Sequence, residues 1–166
     1  MNEDTARLAL PMLQPGQAQK EMTHNEALAR LDLTVQASVA GFGLDEPPTD
    51  PQRGQCWIVG TAPTGSWTGQ AASLAGWTEG GWRFVAPVEG MAVWNLAAGL
   101  PVCWISGGWV QGDVIGKRLL IKGKQTVGPR QSAIAEPVGG STIDMESRAA
   151  IREILAALAG HGLVEG

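Results

Sequence analysis

Two stretches decide how this chain folds: "GWTEGGWRF" (76–84) and "CWISGGWVQ" (103–111). Both contain Trp-x-x-Gly-Gly-Trp and lie in a region almost free of charge. Paired glycines between short apolar pieces supply the positive φ angles of a two-residue hairpin turn. Each stretch therefore predicts a β-hairpin, turning at Gly80-Gly81 and at Gly107-Gly108. In that register Glu79 faces Trp82 and Trp77 faces Phe84, so Trp77, Trp82 and Phe84 share one sheet face. Likewise Ser106 faces Trp109, with Trp104 on their side. A two-stranded ribbon is only marginally stable alone, so the indoles must pack against something.

The surrounding sequence extends the pattern. Residues 54–128 are expected to form a β domain that holds all seven Trp and both Cys, and between 54 and 112 the only charged residues are Glu79, Arg83 and Glu89. Short apolar pieces such as "QCWIVG", "MAVWNLA" and "LPVCWIS" alternate with Gly, Pro and Ser, as antiparallel strands do. "VIGKRLLIKGKQTVG" (114–128) reads as a strand whose Lys117, Arg118, Lys122 and Lys124 protect an exposed edge. Cys56 and Cys103 each precede Trp-Ile and read as small buried hydrophobes rather than a bridge.

On either side of this domain the periodicity changes. Residues 1–22 read as an extended arm, because Pro11, Pro15 and Gly16 interrupt any helix. Residues 23–41 carry an amphipathic helix, with Thr23 and Glu26 as a capping box, Leu28, Leu31, Val35 and Val39 as its apolar stripe, and Gly41 as its stop. Residues 42–53 are a proline-rich connector. Residues 129–166 hold a second amphipathic helix from about Ile143 to Ala159. Ser141 is its N-cap, Asp144 and Glu146 lie at its positive end, and Ile151, Ile154, Leu155 and Leu158 form a stripe. The fold class is thus mostly β, an antiparallel Trp-rich sheet, sandwich or barrel, with one helix near each end.

Composition excludes several functions. A formal net charge of -4 gives no general attraction for nucleic acid. No apolar run reaches the ~18 residues of a membrane span, and the acidic start predicts no signal peptide, hence synthesis in the cytoplasm. Two lone histidines and two cysteines offer no metal spacing. Nucleophile-elbow, phosphate-loop and calcium-loop motifs are missing. Glu79 and Glu89 are the only carboxylates among the tryptophans, too little to define a glycosidase. The chain is expected to be no enzyme and to need no cofactor. Indoles do suit sugar rings, and Trp67, Trp77, Trp104 and Trp109 are the candidates for such contacts. Trp67, in the polar "TGSWTGQ", is expected to be exposed, while Trp82 is assigned to the core. Burial in a core or subunit interface is the commoner use of such rings. The candidate assembly residues are Leu10, Met12 and Leu13 on the arm, Leu28, Leu31 and Val35 on the first helix, and the last helix's stripe.

Several segments together carry a family resemblance: "LPMLQPGQAQKEMTHNEALARLD" (10–32), "APTGSWTG" (62–69), "GWRFVAPVEG" (81–90) and the closing "TVGPRQSAIAEPVGGSTIDMESRAAIREILAALAGHGLV" (126–164). The chain resembles a family of phage and gene-transfer-agent virion proteins found in tail fibres and head spikes and catalogued chiefly as a domain of unknown function. The resemblance implies a structural virion protein that assembles with itself, as a trimer or a pentamer, and with other virion proteins such as a capsid, fibre or spike subunit. It brings no catalytic site. Because the sequence stops at Gly166 without a receptor-binding tip, a base or adaptor is expected. Host polysaccharide is the alternative partner, and neither nucleic acid nor membrane insertion is expected.

Overall fold

All four residues of Cys56-Trp57-Ile58-Val59 are buried in the computed structural model, which describes residues 4–14, 16, 20–141 and 144–165. Side chains alternate along a strand, so this strand must be covered on both faces. It belongs to a four-stranded sheet ordered β2-β3-β4-β5 (Gly41–Leu44, Cys56–Val59, Leu74–Thr78, Gly81–Val85). A second four-stranded sheet has the order β1-β6-β7-β8 (Ser38–Val39, Ala92–Asn95, Leu100–Ile105, Gly108–Gln111). The first sheet's Cys56, Ile58 and Leu74 pack with Val39, Val93 and Val102 of the second, and Leu33 and Ala37 complete this core. On the first sheet's other face, Trp57, Val59 and Ala75 are covered by Trp67, which comes from the short 3-10 turn Gly65–Trp67. The result is mostly β, as expected, and among the described residues no barrel closes.

Helix α1 spans Lys20–Thr34, earlier than the expected 23–41. Thr23 therefore lies inside the helix rather than capping it, and Glu26 pairs with Arg83 and Arg30 instead of reaching back. The helix ends well before Gly41. Thr34 turns its hydroxyl onto the Arg30 carbonyl, Gln36 takes a φ of 47°, and Ala37 leads into β1. Gly41 opens β2, so the strand occupies the start of the expected connector, and Val39 is buried in β1 rather than on a helix. Through β1 and β2 the chain enters one edge of each sheet in succession, parallel to β6 and β3.

Both Trp-Gly-Gly-Trp hairpins form, one residue out of the expected register. Thr78 pairs with Gly81 and Ile105 with Gly108, so the loops are Glu79-Gly80 and Ser106-Gly107. Ser106 and Gly107 have φ of 51° and 81°, the pair of positive values that a type I′ turn demands. Ser106 accepts the left-handed conformation, which leaves Gly108 to start the strand. Trp77 therefore faces Trp82, and Trp104 faces Trp109, each pair edge to face at 4.9 and 5.4 Å between ring centroids. The first pair packs on the Trp67 side of its sheet, and Trp109 of the second packs against the shared core.

Gly76 shows how tight that core is. A Cβ there would lie 2.6 Å from Leu33 Cδ1, and Leu33 is itself buried. Gly76→Ala is expected to destabilise the protein by about 1–3 kcal/mol, read as a lowered urea midpoint.

The contacts divide the chain at Asp113/Val114, not at residue 128. In the second unit "KRLLIKGKQTV" forms a hairpin of its own, not one edge strand: β9 (Leu119–Ile121) and β10 (Lys124–Val127) turn through Lys122-Gly123. Helix α2 runs Met145–Gly160, with Asp144 rather than Ser141 as its N-cap, accepting from the Ser147 amide. These bonds hold the Asp144 carboxyl below its usual range. Pro15, Gln17–Gln19 and Ile143, which figured in the sequence expectations, lie outside the described residues.

Candidate functional site

The most built polar site in the first unit lies where α1 meets the chain before it. The arm is not simply extended: Asp4 bridges Pro11, and the Thr5 amide bonds the Leu10 carbonyl at 3.0 Å, folding 4–11 into a loop. Buried Asp32 holds that loop. Its Oδ1 accepts from the Thr5 hydroxyl at 2.8 Å and the Leu8 amide at 2.6 Å, and its Oδ2 accepts from the Arg7 amide at 3.0 Å. Arg7 answers by donating to the carbonyls of Asp32, Val35 and Gln36, which closes the C-terminal end of α1 with a cation.

Two turns earlier on the helix, Asn25 grips the arm at Leu13. Its Oδ1 accepts the Leu13 amide at 2.9 Å and its Nδ2 donates to the Leu13 carbonyl at 3.0 Å. That pair of bonds imitates a neighbouring strand and reads main chain, not side chain. Arg83 Nε donates to Glu26 Oε2 at 2.7 Å and ties the first hairpin to the same helix. Between arm, helix and hairpin remains a groove of about 620 Å³, lined by Met12, Leu13, Met22, Ala29, Trp77 and Arg83 among others.

The protected face of α1 is therefore not the predicted stripe. Leu31 and Val35 are exposed and Leu28 is half-buried, while Asp32 and Leu33 are buried. An apolar count misses this face because Leu33 is its one buried apolar residue among those described and its other anchors are polar. The available signal was Asn25 and Asp32, seven residues apart and hence on one side of the helix. On the arm Leu10 and Met12 are half-buried and Leu13 is exposed.

The indoles sort differently from expectation. Trp67 is fully buried, so it offers no surface to a ligand; its turn folds over the sheet. Trp77, Trp82, Trp104 and Trp109 are half-buried, and Trp109 Nε1 donates to the Ala72 carbonyl at 2.7 Å. The most open indole is Trp94, 47% exposed beside Pro101 on the outer side of the second sheet. Strand alternation in "AVWN" could have shown it, because Val93 and Asn95 point inward. Both cysteines are free. Burial pushes the Cys56 thiol up to about 11, slightly opposed by Arg7. Native protein at pH 8 is expected to leave Cys56 unmodified by a thiol reagent that labels it after unfolding, with peptide mass mapping as the readout.

In the second unit Ile151 and Ile154 are exposed and Leu155 and Leu158 half-buried. Among the described residues no cluster of His, Cys, Asp and Glu could hold a metal ion, and no helix is long and apolar enough to cross a membrane.

These features mark a two-sheet β body with a helix-held arm, and comparison places it in a family. The family described as "Protein of unknown function (DUF2793)" matches residues 24–110, just over half of the chain, from α1 to β8. The chain belongs to this family. No curated protein matches it.

Proposed function

We propose that this protein is a non-enzymatic structural component of a phage-like particle or gene transfer agent, the base or adaptor of a head spike or tail fibre, working by oligomeric assembly. The observation that carries the assembly reading is the second unit. Val164 is its only buried apolar residue among those described, while Leu119, Leu120, Ile121, Ile134, Ile151 and Ile154 are exposed. A segment that buries so little of its own apolar surface gains stability from a neighbour. The particle itself is supported by the sequence resemblance of residues 10–32, 81–90 and 126–164 to virion proteins. Closed symmetric assembly would let one chain serve a multi-fold attachment point.

The test is the native mass of the purified full chain, followed by its recovery in particle fractions from the producing cell. A closed trimer or pentamer that co-purifies with particles is the expected result. A monomer at high concentration, absent from particles, sinks the proposal.

One observation favours a second reading, attachment of the particle to host polysaccharide. Trp94 and Pro101 form an open apolar step on the second sheet, suited to the flat face of a sugar ring. Titration with host polysaccharide should then quench indole fluorescence in the native chain and leave Trp94→Ala unchanged. An unaltered signal at millimolar sugar removes this reading.

A further inference from the structure

Charge in the second unit is divided by element. From Val114 to Gln131 there are Lys117, Arg118, Lys122, Lys124 and Arg130 and no carboxylate. From Ser132 to Glu165 the acids Glu136, Asp144, Glu146, Glu153 and Glu165 outnumber Arg148 and Arg152. Much of this charge is already used within the unit. Arg130 donates to the Val164 carbonyl, Arg148 to the carbonyls of Pro137 and Gly139, and Arg152 pairs with Glu136 at 3.0 Å. Asp144 caps α2. Lys117, Arg118, Lys122 and Lys124 on the hairpin, and Glu146 and Glu153 on the helix, join no ion pair among the described residues.

The same two elements leave matching apolar surface bare. In the hairpin register Lys124 pairs with Ile121 and Val127 with Leu119, so Leu119, Ile121 and Val127 share a face with Lys124. All three apolar side chains are exposed. Helix α2 has no buried residue. Its Arg152, Leu155, Ala156 and Ala159 side faces its own chain across a shallow groove with Ala133 and Val164. The ridge of Ile151, Ile154 and Leu158 adjoins that side and continues round the helix, with Glu146 and Glu153, seven residues apart, on its far flank. One element thus presents an apolar centre framed by cations, the other an apolar ridge flanked by anions. Neither covers the other within the chain.

We infer that the partner of this unit is a second copy of the same chain, with the basic β9–β10 hairpin of one copy seated on the acidic, apolar face of α2 of the next. Both the charge and the apolar surface of the contact are then supplied by one sequence. Unlike surfaces meet head to tail, a contact that propagates from copy to copy and forms a ring where its rotation closes. This inference rests on the proposal that the chain works by self-assembly and names the element responsible. It also explains why charge is kept on a hairpin whose centre is Leu-Leu-Ile: like-charged hairpins repel, which disfavours pairing of hairpin with hairpin.

The experiment uses the full chain and reads mass by light scattering, with circular dichroism to confirm folding. One variant combines Lys117→Glu, Arg118→Glu, Lys122→Glu and Lys124→Glu. The second combines Glu146→Lys and Glu153→Lys, and the third carries all six changes. The first two are expected to fall to monomer mass at a concentration where the native chain is assembled. The third, with both signs exchanged, is expected to regain the native mass. Native mass retained in both partial variants, or no recovery in the six-fold variant, overturns the hairpin-on-helix contact while leaving self-assembly standing. A native chain that is monomeric and instead captured by a different protein overturns the choice of a second copy.

Discussion

Trp67→Ala is expected to lower the stability of the first unit by about 3–5 kcal/mol, a large part of the ~5–15 kcal/mol that holds a domain folded. The reason is position as much as size. Trp67 is fully buried, with its ring centroid 5.2 Å from that of Trp82 at 81° and 6.4 Å from that of Trp57. It comes from a one-turn element whose role in the fold is to lay that ring over the first sheet. Truncation leaves a void that the flanking indoles cannot fill, because Trp57 is fixed on a central strand and Trp82 is paired with Trp77. The indole Nε1 of Trp67 is buried without a hydrogen-bond partner among the described residues. Trp67→Phe removes that unmet donor while keeping most of the ring, so its cost should be well below that of alanine. Urea unfolding of the two variants checks both statements. Equal losses would show that ring volume is not what the turn contributes, and the account of this face would then be wrong.

The same residue explains where sequence reading stops. "TGSWTGQ" is polar and turn-rich, and local chemistry alone placed its indole in water. Its burial depends on the sheet beneath it, formed by residues before and after the turn. The Trp-Gly-Gly-Trp hairpins were legible because two strands and their turn are adjacent in sequence. Their register shifts by one residue, and in the second hairpin the cause is a positive φ at Ser106, invisible in a residue that adopts it only occasionally. The face of α1 failed for another reason. Periodicity counts apolar residues, and this helix docks through Asn25, Glu26 and Asp32, whose partners lie on the arm and on β5. In the second unit the order was reversed. The stripe of α2 and the cations around Leu-Leu-Ile stand out as sequence patterns, yet Ile151, Ile154 and the apolar residues of the hairpin stay exposed. Surfaces of that kind are legible in sequence, whereas what they meet is not.

Asp32→Ala tests whether the arm is held by one carboxylate. The substitution removes the acceptor of three bonds, from the Thr5 hydroxyl, the Arg7 amide and the Leu8 amide, at a side chain only 3% exposed. A hydrogen bond to a charged group contributes ~1.5–3 kcal/mol, and these three share one cramped site, so a combined loss of about 3 kcal/mol is expected. The loss should not stay local. Once the loop is released, Arg7 no longer caps the carbonyls of Asp32, Val35 and Gln36, and the last turn of α1 frays. Thr5, Ala6, Met12 and Leu13 line the groove beside Trp77, so that groove loses one wall. Asn25 still holds Leu13, which makes the prediction specific: amide exchange should accelerate most at Arg7 and Leu8 and less at Leu13. Asp32→Asn keeps one acceptor but turns an amide NH₂ toward donors, so it should recover only part of the loss. Hydrogen exchange resolved by residue decides the matter. Protection of Arg7 and Leu8 undiminished in the alanine variant would mean that packing of the arm, and not Asp32, fixes it to the helix.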